Sequence, residues 1–206
     1  MYIPKYYQVT DPEEIREFIE AHSFGTIITA GKGRPLASHL PFQLKKEADG
    51  YVLRGHFARG NPQWHTIEDP GEVLVTFQGP HSYVTSSWYE EKDIPTWNYQ
   101  AAHVYGTGRL LTEDELREDL VTLLQKHEQH RDEPVLWETL PTELLEKDIK
   151  GIVGFKLHIT DIQAAFKLSQ NQSTEDYQHV IDGLRTEPDP LSEEVAEVMD
   201  KRRPTS

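Results

Sequence analysis

The stretch of the chain that decides its fold class is residues 76–110, TFQGPHSYVTSSWYEEKDIPTWNYQAAHVYGTGRL. Aromatic rings alternate here with Gly, Pro, His, Ser and Asn. This mixture is typical of a sheet edge and loops that line a pocket for a flat ligand, because rings supply contact area while small and polar residues supply close approach and hydrogen bonds. A hairpin meander packed on its own rings is the simpler alternative. The chain has 4 Trp, 9 Tyr and 7 Phe, and seven of these aromatic residues lie in the stretch. They are Phe77, Tyr83, Trp88, Tyr89, Trp97, Tyr99 and Tyr105.

The rest of the chain continues this pattern of short strands. Runs of β-branched and aromatic residues are separated by Gly, Pro, Asp or Lys turn signals, and one short helix at residues 61–68 interrupts them. A further strand is predicted at residues 152–166. The spacing predicts a mainly β, α+β fold: an antiparallel barrel of six to seven strands, opened at its seams by helices. The first six runs are residues 25–30, 36–44, 51–57, 72–78, 82–89 and 103–111.

Helices flank the predicted strands on both sides. Capping residues and apolar spacings of three and four predict helices at residues 10–22, 113–130 and 173–184, a shorter helix that starts at 141–143, and a final helix capped by Ser192 after a linker at 187–190. We expect one main domain, because the strand at 152–166 would otherwise lack a sheet to join. The predicted boundaries are a barrel domain over residues 1–168 and a helical tail over residues 169–206, packed on the barrel or on a partner subunit.

The composition indicates a protein of the cytoplasm that does not bind nucleic acid directly. The 206 residues include no Cys. The sequence has no apolar run near its start, so neither a secretory signal nor a membrane span is predicted. The net charge is −14, and residues 111–206 carry most of it, with 11 Lys and Arg against 22 Asp and Glu. An acidic chain without a basic stripe repels a phosphate backbone, so direct DNA binding is not expected.

Searches for metal and nucleophile motifs favour no catalytic site. His127 and His130 lack the spacing of a helical zinc pair. Histidines on or beside predicted strands are more often satisfied by backbone partners than bound to a metal, and these are His39, His56, His81 and His103. Gly106-Thr-Gly108 is too short for a dinucleotide loop, so we interpret it as a bulge or a close backbone approach within a strand. Metal-dependent hydrolysis is therefore the weakest of the functional hypotheses.

One turn carries the features of a phosphate site. Asn61 and Pro62 predict a capped helix start directly after a strand, and Arg59 precedes it. A helix N-terminus presents free N–H groups, and an arginine beside it suits a phosphate. A capped helix with a solvated arginine is an equally common arrangement.

Five sequence blocks carry a resemblance to a known family. They are GRPLASHLPF at 33–42, GHFARGNPQW at 55–64, FQGPHSYVTSSWY at 77–89, PTWNYQAAHVYG at 95–106 and FKLSQNQS at 166–173. In this order they resemble the PaiB family, named for negative regulation of protease synthesis and sporulation in bacilli. The resemblance implies the FMN-binding split barrel, FMN or another flat ligand as the bound group, and a homodimer with the flavin at the subunit interface.

The same resemblance suggests site residues. It assigns the FMN phosphate to two segments, residues 36–42 and 55–61, and the ring or the partner subunit to residues of the aromatic stretch, with structural packing as the alternative for each. A polar run after the last strand, Lys167, Ser169, Gln170 and Asn171, is either a turn or part of the same pocket. The expected FMN-binding residues are Ser38, His39, His56, Arg59, Asn61, Tyr83, Trp97 and Asn98.

Two functions follow from these observations. The first is a regulatory protein, a repressor in transcription regulation of protease synthesis and sporulation, which acts through a ligand or a partner protein. The second is an FMN-dependent oxidoreductase of the flavin reductase or pyridoxamine-phosphate oxidase type, in which the cofactor performs the redox step. No residue is assigned to catalysis or to a metal.

Overall fold

The computed structural model describes residues 1–30, 34–91 and 93–203, and within them the chain forms eight strands and five α-helices. The strands are Gln8–Val9 (β1), Phe24–Ala30 (β2), Pro35–Pro41 (β3), Gln43–Glu47 (β4), Gly50–Ala58 (β5), Val73–Val84 (β6), Thr96–Leu110 (β7) and Ile152–Lys167 (β8). The helices are Pro12–Ala21 (α1), Glu113–Glu128 (α2), Thr142–Lys150 (α3), Thr174–Leu184 (α4) and Pro190–Lys201 (α5). Short 3-10 helices span Lys5–Tyr7, Pro62–Thr66, Ser86–Trp88 and Trp137–Thr139.

The strands form one sheet in the order β3-β2-β6-β7-β8-β5-β4, and β1 pairs with β8. The ladders β2–β3, β2–β6, β4–β5, β5–β8 and β1–β8 are all antiparallel. In one of these registers β5 lies against β8, with Val52 opposite His158 and Ala58 opposite Ile152. The predicted fold class, an antiparallel split barrel of six to seven strands with flanking helices, is confirmed.

A single residue, Phe42, joins the two strands that end the sheet order. β3 pairs with β2 and β4 pairs with β5, so the chain passes from one end of the sheet to the other within one residue. Phe42 is 2% exposed, and its backbone N–H donates to the Ser23 carbonyl at 2.8 Å. Its ring lies edge-on to that of Phe155 at 6.2 Å. The sheet therefore curls here, and the predicted single strand 36–44 is two strands.

The separate strands predicted at 72–78 and 82–89 are wrong, because β6 continues through Gly79 and Pro80. A proline lacks the N–H of a ladder hydrogen bond and is normally confined to unpaired edges. The pairing of β6 with β2 runs only from Leu74 to Thr76, so Pro80 lies beyond it and interrupts no bond on that side. β7 likewise starts at Thr96, seven residues before the predicted strand start.

The helix starts follow their caps. Asp11 caps α1, and Thr112 with Glu115 forms the predicted capping box of α2. The last helix starts earlier than predicted, because Asp189 Oδ1 accepts from the Leu191 N–H at 3.0 Å and Pro190 takes the first helical position. The linker prediction for residues 187–190 is therefore wrong at its C-terminal end. No described helix is both long and apolar enough to cross a membrane.

The chain divides into two compact units. The first unit is Met1–His22, Phe77–His103 and Gln163–Ser206, and the second is Ser23–Thr76 and Val104–Ile162. In the first, the Phe18 and Phe166 rings lie 4.8 Å apart. In the second, the Phe57 and Phe155 rings lie 4.9 Å apart. The boundary expected after residue 168 stays a prediction.

Candidate functional site

Asn61 starts the 3-10 helix Pro62–Thr66 and ties it to β3. Its Oδ1 accepts from the Gln63 backbone N–H at 3.0 Å, and Pro62 takes the first helical position, so the predicted cap is confirmed. Its Nδ2 donates to Ser38 Oγ at 2.8 Å. Two residues assigned to a phosphate, Ser38 and Asn61, are therefore in contact.

Gln63 is the centre of this polar network, and sequence reasoning missed it. Its side chain is 2% exposed, and its Oε1 accepts from Ser38 Oγ at 2.7 Å. Its Nε2 lies within hydrogen-bond distance of the carbonyls of Ile27 (3.2 Å) and Leu36 (3.1 Å) and of Thr29 Oγ1 (3.3 Å). Gln63 thus fixes the helix start against β2 and β3. A glutamine inside a capped helical turn gives no signal in the sequence that separates it from a solvated one.

Arg59 faces the connection between α3 and β8. Its Nε donates to the Lys150 carbonyl at 2.6 Å, and its Nη2 donates to the Ile152 carbonyl at 3.0 Å. Among the described residues, no hydrogen bond links its guanidinium to Ser38 or Asn61. A guanidinium has five N–H groups, so both N–H groups of Nη1 and one of Nη2 remain available to an anion.

In the part of the chain that the structure describes, neither histidine assigned to the phosphate forms a side-chain hydrogen bond with Ser38 or Asn61. His39 is exposed, and its ring stacks on that of Phe24 at a centroid distance of 6.4 Å. His56 is half-buried on β5, opposite Gly154. Burial lowers the pKa of His56 below its usual 6.5, and the Asp119 carboxylate opposes that change. At neutral pH His56 is therefore an uncharged imidazole.

In the first unit, Tyr83 and Trp97 form an exposed aromatic face. The two side chains are 49% and 48% exposed, and their rings meet edge to face with centroids 6.0 Å apart. Trp97 Nε1 donates to His81 Nδ1 at 3.3 Å, which fixes the indole ring. Large rings held in one orientation and open to solvent provide a surface for a flat ligand or a partner chain.

Asn98 lies on the opposite face of β7 from Trp97, because successive side chains of a strand alternate. It is fully buried at 0% exposure. Its Nδ2 donates to Ser169 Oγ at 3.0 Å and lies 3.5 Å from Met199 Sδ. Asn98 therefore packs the interior of the first unit and does not share the exposed face of Trp97.

The polar run after β8 forms a turn, one of the two predicted alternatives. Gln170 Oε1 accepts from the Leu168 N–H at 2.7 Å, and Asn171 Oδ1 accepts from Tyr7 Oη at 3.1 Å. Ser169 is 2% exposed and has a φ of 60°. Lys167 and Ser169 also line a small cavity of about 150 Å³ in the first unit.

Two further features bear on chemistry. A cleft of about 610 Å³ lies at the start of α4, lined by Ser173, Tyr177 and His179 among others. Within residues 1–30, 34–91 and 93–203, no three His, Asp or Glu side chains are grouped so as to hold a metal ion.

Known proteins resemble the chain in sequence and in fold. The family described as "Putative FMN-binding domain" matches residues 1–161. The Bacillus subtilis (strain 168) protein named "Protease synthase and sporulation protein PAI 2" is 53% identical over 202 residues, which are 98% of each chain.

Two solved structures, each 16% identical in sequence, share the fold. The flavocytochrome Anf3 from Azotobacter vinelandii gives a TM-score of 0.65 over 86% of this chain and 78% of its own. The FAD and heme binding protein from Mycobacterium smegmatis gives a TM-score of 0.61 over 84% of this chain and 79% of its own. Sequence identity along nearly the whole chain, the family match over its first 161 residues and the common sheet agree, and the chain therefore belongs to the PaiB family.

Proposed function

We propose that the chain is a regulatory protein that binds FMN and that influences protease synthesis and sporulation through this ligand or through a partner protein. The observation that carries the proposal is the exposed pair Tyr83 and Trp97, each residue being about half exposed to solvent. The family description and the name of the Bacillus subtilis relative support the ligand and the process respectively.

The aromatic pair suits the flavin ring. An isoalloxazine is flat and amphipathic, so it stacks on an aromatic face more favourably than it remains in water. The Trp97 indole is already fixed by its bond to His81, so little side-chain entropy is lost on stacking. Bound FMN would bring a redox-active ring, while the protein would bind and orient it.

The second unit, taken by itself, contains donors that suit a phosphate. Asn61 Nδ2 has one N–H beyond its bond to Ser38, and Arg59 has three N–H groups beyond its bonds to carbonyls. These groups are charge-assisted or neutral donors of the type that phosphates accept. His39 and His56 stay predicted contacts.

A flavin titration tests the ligand. We expect saturable FMN binding at micromolar concentration, followed by flavin fluorescence. Trp97→Leu should weaken FMN and riboflavin equally, about tenfold for the loss of one stacked ring. The control Tyr2→Leu removes another exposed ring, 88% exposed, and should change neither affinity. Absence of saturable binding to the wild-type chain would reject FMN as the ligand.

A comparison of FMN with riboflavin tests the phosphate residues. Arg59→Ala should weaken FMN about tenfold and leave riboflavin unchanged, because riboflavin lacks the phosphate. Arg131→Ala removes one exposed arginine that follows α2 in the chain and serves as the charge-matched control. Equal affinities for FMN in both variants would remove Arg59 from the site.

Regulation through a ligand or partner is favoured over DNA reading by the charge of the chain. The net charge is −14, and α5 carries the acidic pair Glu193 and Glu194 near its start. We expect the wild-type chain, and not Trp97→Leu, to replace the Bacillus subtilis relative in assays of secreted protease and spore formation. A promoter complex that survives 200 mM salt would contradict this mode of action. Turnover of NAD(P)H by the flavin-loaded chain would instead favour the oxidoreductase.

A homodimer completes the proposal. Tyr83 and Trp97 are the exposed aromatic residues that suit the centre of an interface, where Tyr and Trp are enriched. Sedimentation equilibrium should give twice the chain mass of 23.8 kDa. A monomer over the whole micromolar range would overturn this part.

A further inference from the structure

A small polar cavity of the first unit lies between the turn after β8 and the aromatic stretch. Its volume is about 150 Å³, and Tyr7, Tyr89, Asp93, Thr96, Lys167 and Ser169 are among the residues that line it. A water molecule occupies roughly 30 Å³ of liquid, so the cavity has room for about five waters or for one small organic or inorganic ion. We call it the Tyr89–Lys167 cavity.

Lys167 brings a positive charge to this cavity without a negative partner. Its Nζ donates to Thr96 Oγ1 and lies 5.8 Å from the centroid of the Tyr7 ring. No described carboxylate lies within 4 Å of it, whereas the other partly buried lysines Lys45 and Lys156 each form an ion pair. Burial lowers the pKa of the Lys167 ammonium, which is the expected effect of an uncompensated charge.

Tyr89 brings a buried hydroxyl without a hydrogen bond. The residue is 8% exposed, and its Oη forms no hydrogen bond within the described chain. Burial, and after it the negative charge of Asp93, raises the pKa of the phenol, while the nearby Ser169 and Gln172 side chains act in the opposite direction. A buried hydroxyl that lacks a partner is costly, and native structures rarely keep one without a water or a ligand.

The Asp93 carboxylate, which also lines the cavity, already accepts two hydrogen bonds. Asp93 Oδ1 accepts from the Ile94 N–H at 2.7 Å, and its Oδ2 accepts from Gln172 Nε2 at 3.4 Å. Thr96 Oγ1 accepts from Lys167, which leaves its own hydroxyl hydrogen to donate. The donors left over are two N–H of Lys167, the Tyr89 hydroxyl and the Thr96 hydroxyl.

Ser169 adds strain to the cavity wall. Its φ of 60° lies in the left-handed region, which is uncommon for residues other than Gly. The buried hydrogen bond from Asn98 Nδ2 to Ser169 Oγ helps to hold this conformation. Such strain costs of order 1–3 kcal/mol and persists where the surrounding structure enforces it, often at ligand sites.

We propose that the Tyr89–Lys167 cavity binds a small oxyanion, a carboxylate or a phosphate group, through the Lys167 ammonium and the Tyr89 hydroxyl. Three donor groups, one of them an ammonium without a described ion-pair partner within 4 Å, match an anion with several acceptor oxygens, and the Asp93 carboxylate of the same wall is held by its own hydrogen bonds. The volume admits inorganic phosphate or acetate whole, or the phosphate end of a larger ligand. The inference does not rest on FMN binding.

The first experiment uses inorganic phosphate and acetate as probes on the full chain without flavin. Thermal unfolding is compared in phosphate, acetate and chloride at equal ionic strength and pH, because salt alone screens the net charge of −14. We expect at least one oxyanion to raise Tm above the chloride value, by about 4 °C at roughly twenty times its dissociation constant. Equal Tm values in all three salts would overturn the proposal.

Two variants assign the binding to the cavity. Lys167→Met keeps the length of the side chain and should weaken the oxyanion about tenfold or more, since a charge-assisted bond is lost. Tyr89→Phe removes only the hydroxyl, and should weaken it several-fold while leaving Tm in chloride unchanged or higher. Lys126→Met, on α2 of the second unit, removes an equal charge and should change nothing. Loss of the oxyanion effect in Lys126→Met alone, or in none of the three, would overturn the assignment.

A further experiment with FMN and riboflavin identifies the source of the oxyanion. If Lys167→Met weakens FMN but not riboflavin, and phosphate competes with FMN, the cavity takes the phosphate of the flavin. If phosphate or acetate binds and FMN affinity is unchanged by Lys167→Met, the cavity takes a separate small anion. Either result supports the proposal, and the second stands even where FMN does not bind at all.

Discussion

Gly106 of β7 lies directly against the backbone of His158 in β8. A Cβ placed on Gly106 would come within 2.5 Å of the His158 carbonyl oxygen and 3.1 Å of its carbonyl carbon. Real side chains do not approach a backbone this closely, so only glycine fits. The glycine pair of this strand marks a close backbone approach, one of the two alternatives that its sequence allowed.

Gly106→Ala should therefore destabilise the protein. The methyl group must displace backbone in the interior of a sheet, which costs about 2–3 kcal/mol in the free energy of unfolding. Chemical denaturation measures the change. Gly60→Ala is the matched control, since a Cβ there meets no atom within 4 Å, and its stability should stay within about 0.5 kcal/mol of wild type. Equal stability of the two variants would contradict the close approach.

Local patterns predicted most of the fold. The capping box of Thr112 and Glu115 fixed the start of α2 at Glu113, because cap and helix lie within one turn of each other. β6 was missed as one strand because Pro80 normally ends a strand, and its tolerance depends on where the β2 ladder stops. The end of that ladder is set by pairing between distant strands, so it cannot be predicted from the residues around Pro80 alone.

The same distinction between local and long-range contacts applies to the candidate site. The Asn61 cap was predictable, since its partner Gln63 is two residues away. The bond of Arg59 to the Lys150 carbonyl spans 91 positions, and the meeting of Tyr89 with Lys167 depends on the turn after β8. Long-range contacts between polar side chains leave no periodic pattern in the sequence. The sequence therefore indicates which residues are candidates for the site but not which residues they contact.

Glu47 should make the protein sensitive to acid. Hydrogen bonds from Lys156 Nζ (2.7 Å) and Arg54 Nη2 (2.6 Å) lower the pKa of Glu47 to about 2, from 4.5. The folded state therefore binds the proton less tightly than the unfolded state. Its stabilisation is complete above pH 4.5 and is lost as the pH falls towards 2.

The expected size is modest, because the Glu47 side chain is 25% exposed and solvent screens the pair. Glu47→Gln should remove about 1 kcal/mol at pH 7 and roughly a quarter of that at pH 2.5, which flattens the pH profile of unfolding between those values. Urea denaturation at a series of pH values measures it. Parallel profiles of wild type and variant would show that the ion pairs do not persist in solution.

Ser82 and Ser192 should couple β6 to α5. The two hydroxyls lie 2.8 Å apart and are both buried, at 5% and 2% exposure. Ser192→Ala leaves the Ser82 hydroxyl with only a 3.3 Å contact to the Tyr83 carbonyl, so we expect a loss of about 1 kcal/mol. The double variant with Ser82→Ala should cost less than the sum of the single variants. Strict additivity in that cycle would exclude the bond.

Gln63 should contribute more to stability than the residues it supports. Gln63→Leu has a similar volume but removes one acceptor and two donors from a buried position, leaving Ser38 Oγ without its acceptor. We expect a loss of about 2–3 kcal/mol in the free energy of unfolding, because desolvated polar groups on β2 and β3 lose their partner. Ser38→Ala interrupts only two bonds at a half-buried site, so it should cost about 1 kcal/mol. Guanidinium denaturation of both variants gives the comparison. If Ser38→Ala is the more damaging variant, then Gln63 is not the centre of the network, and the helix start is held by the Asn61 cap alone.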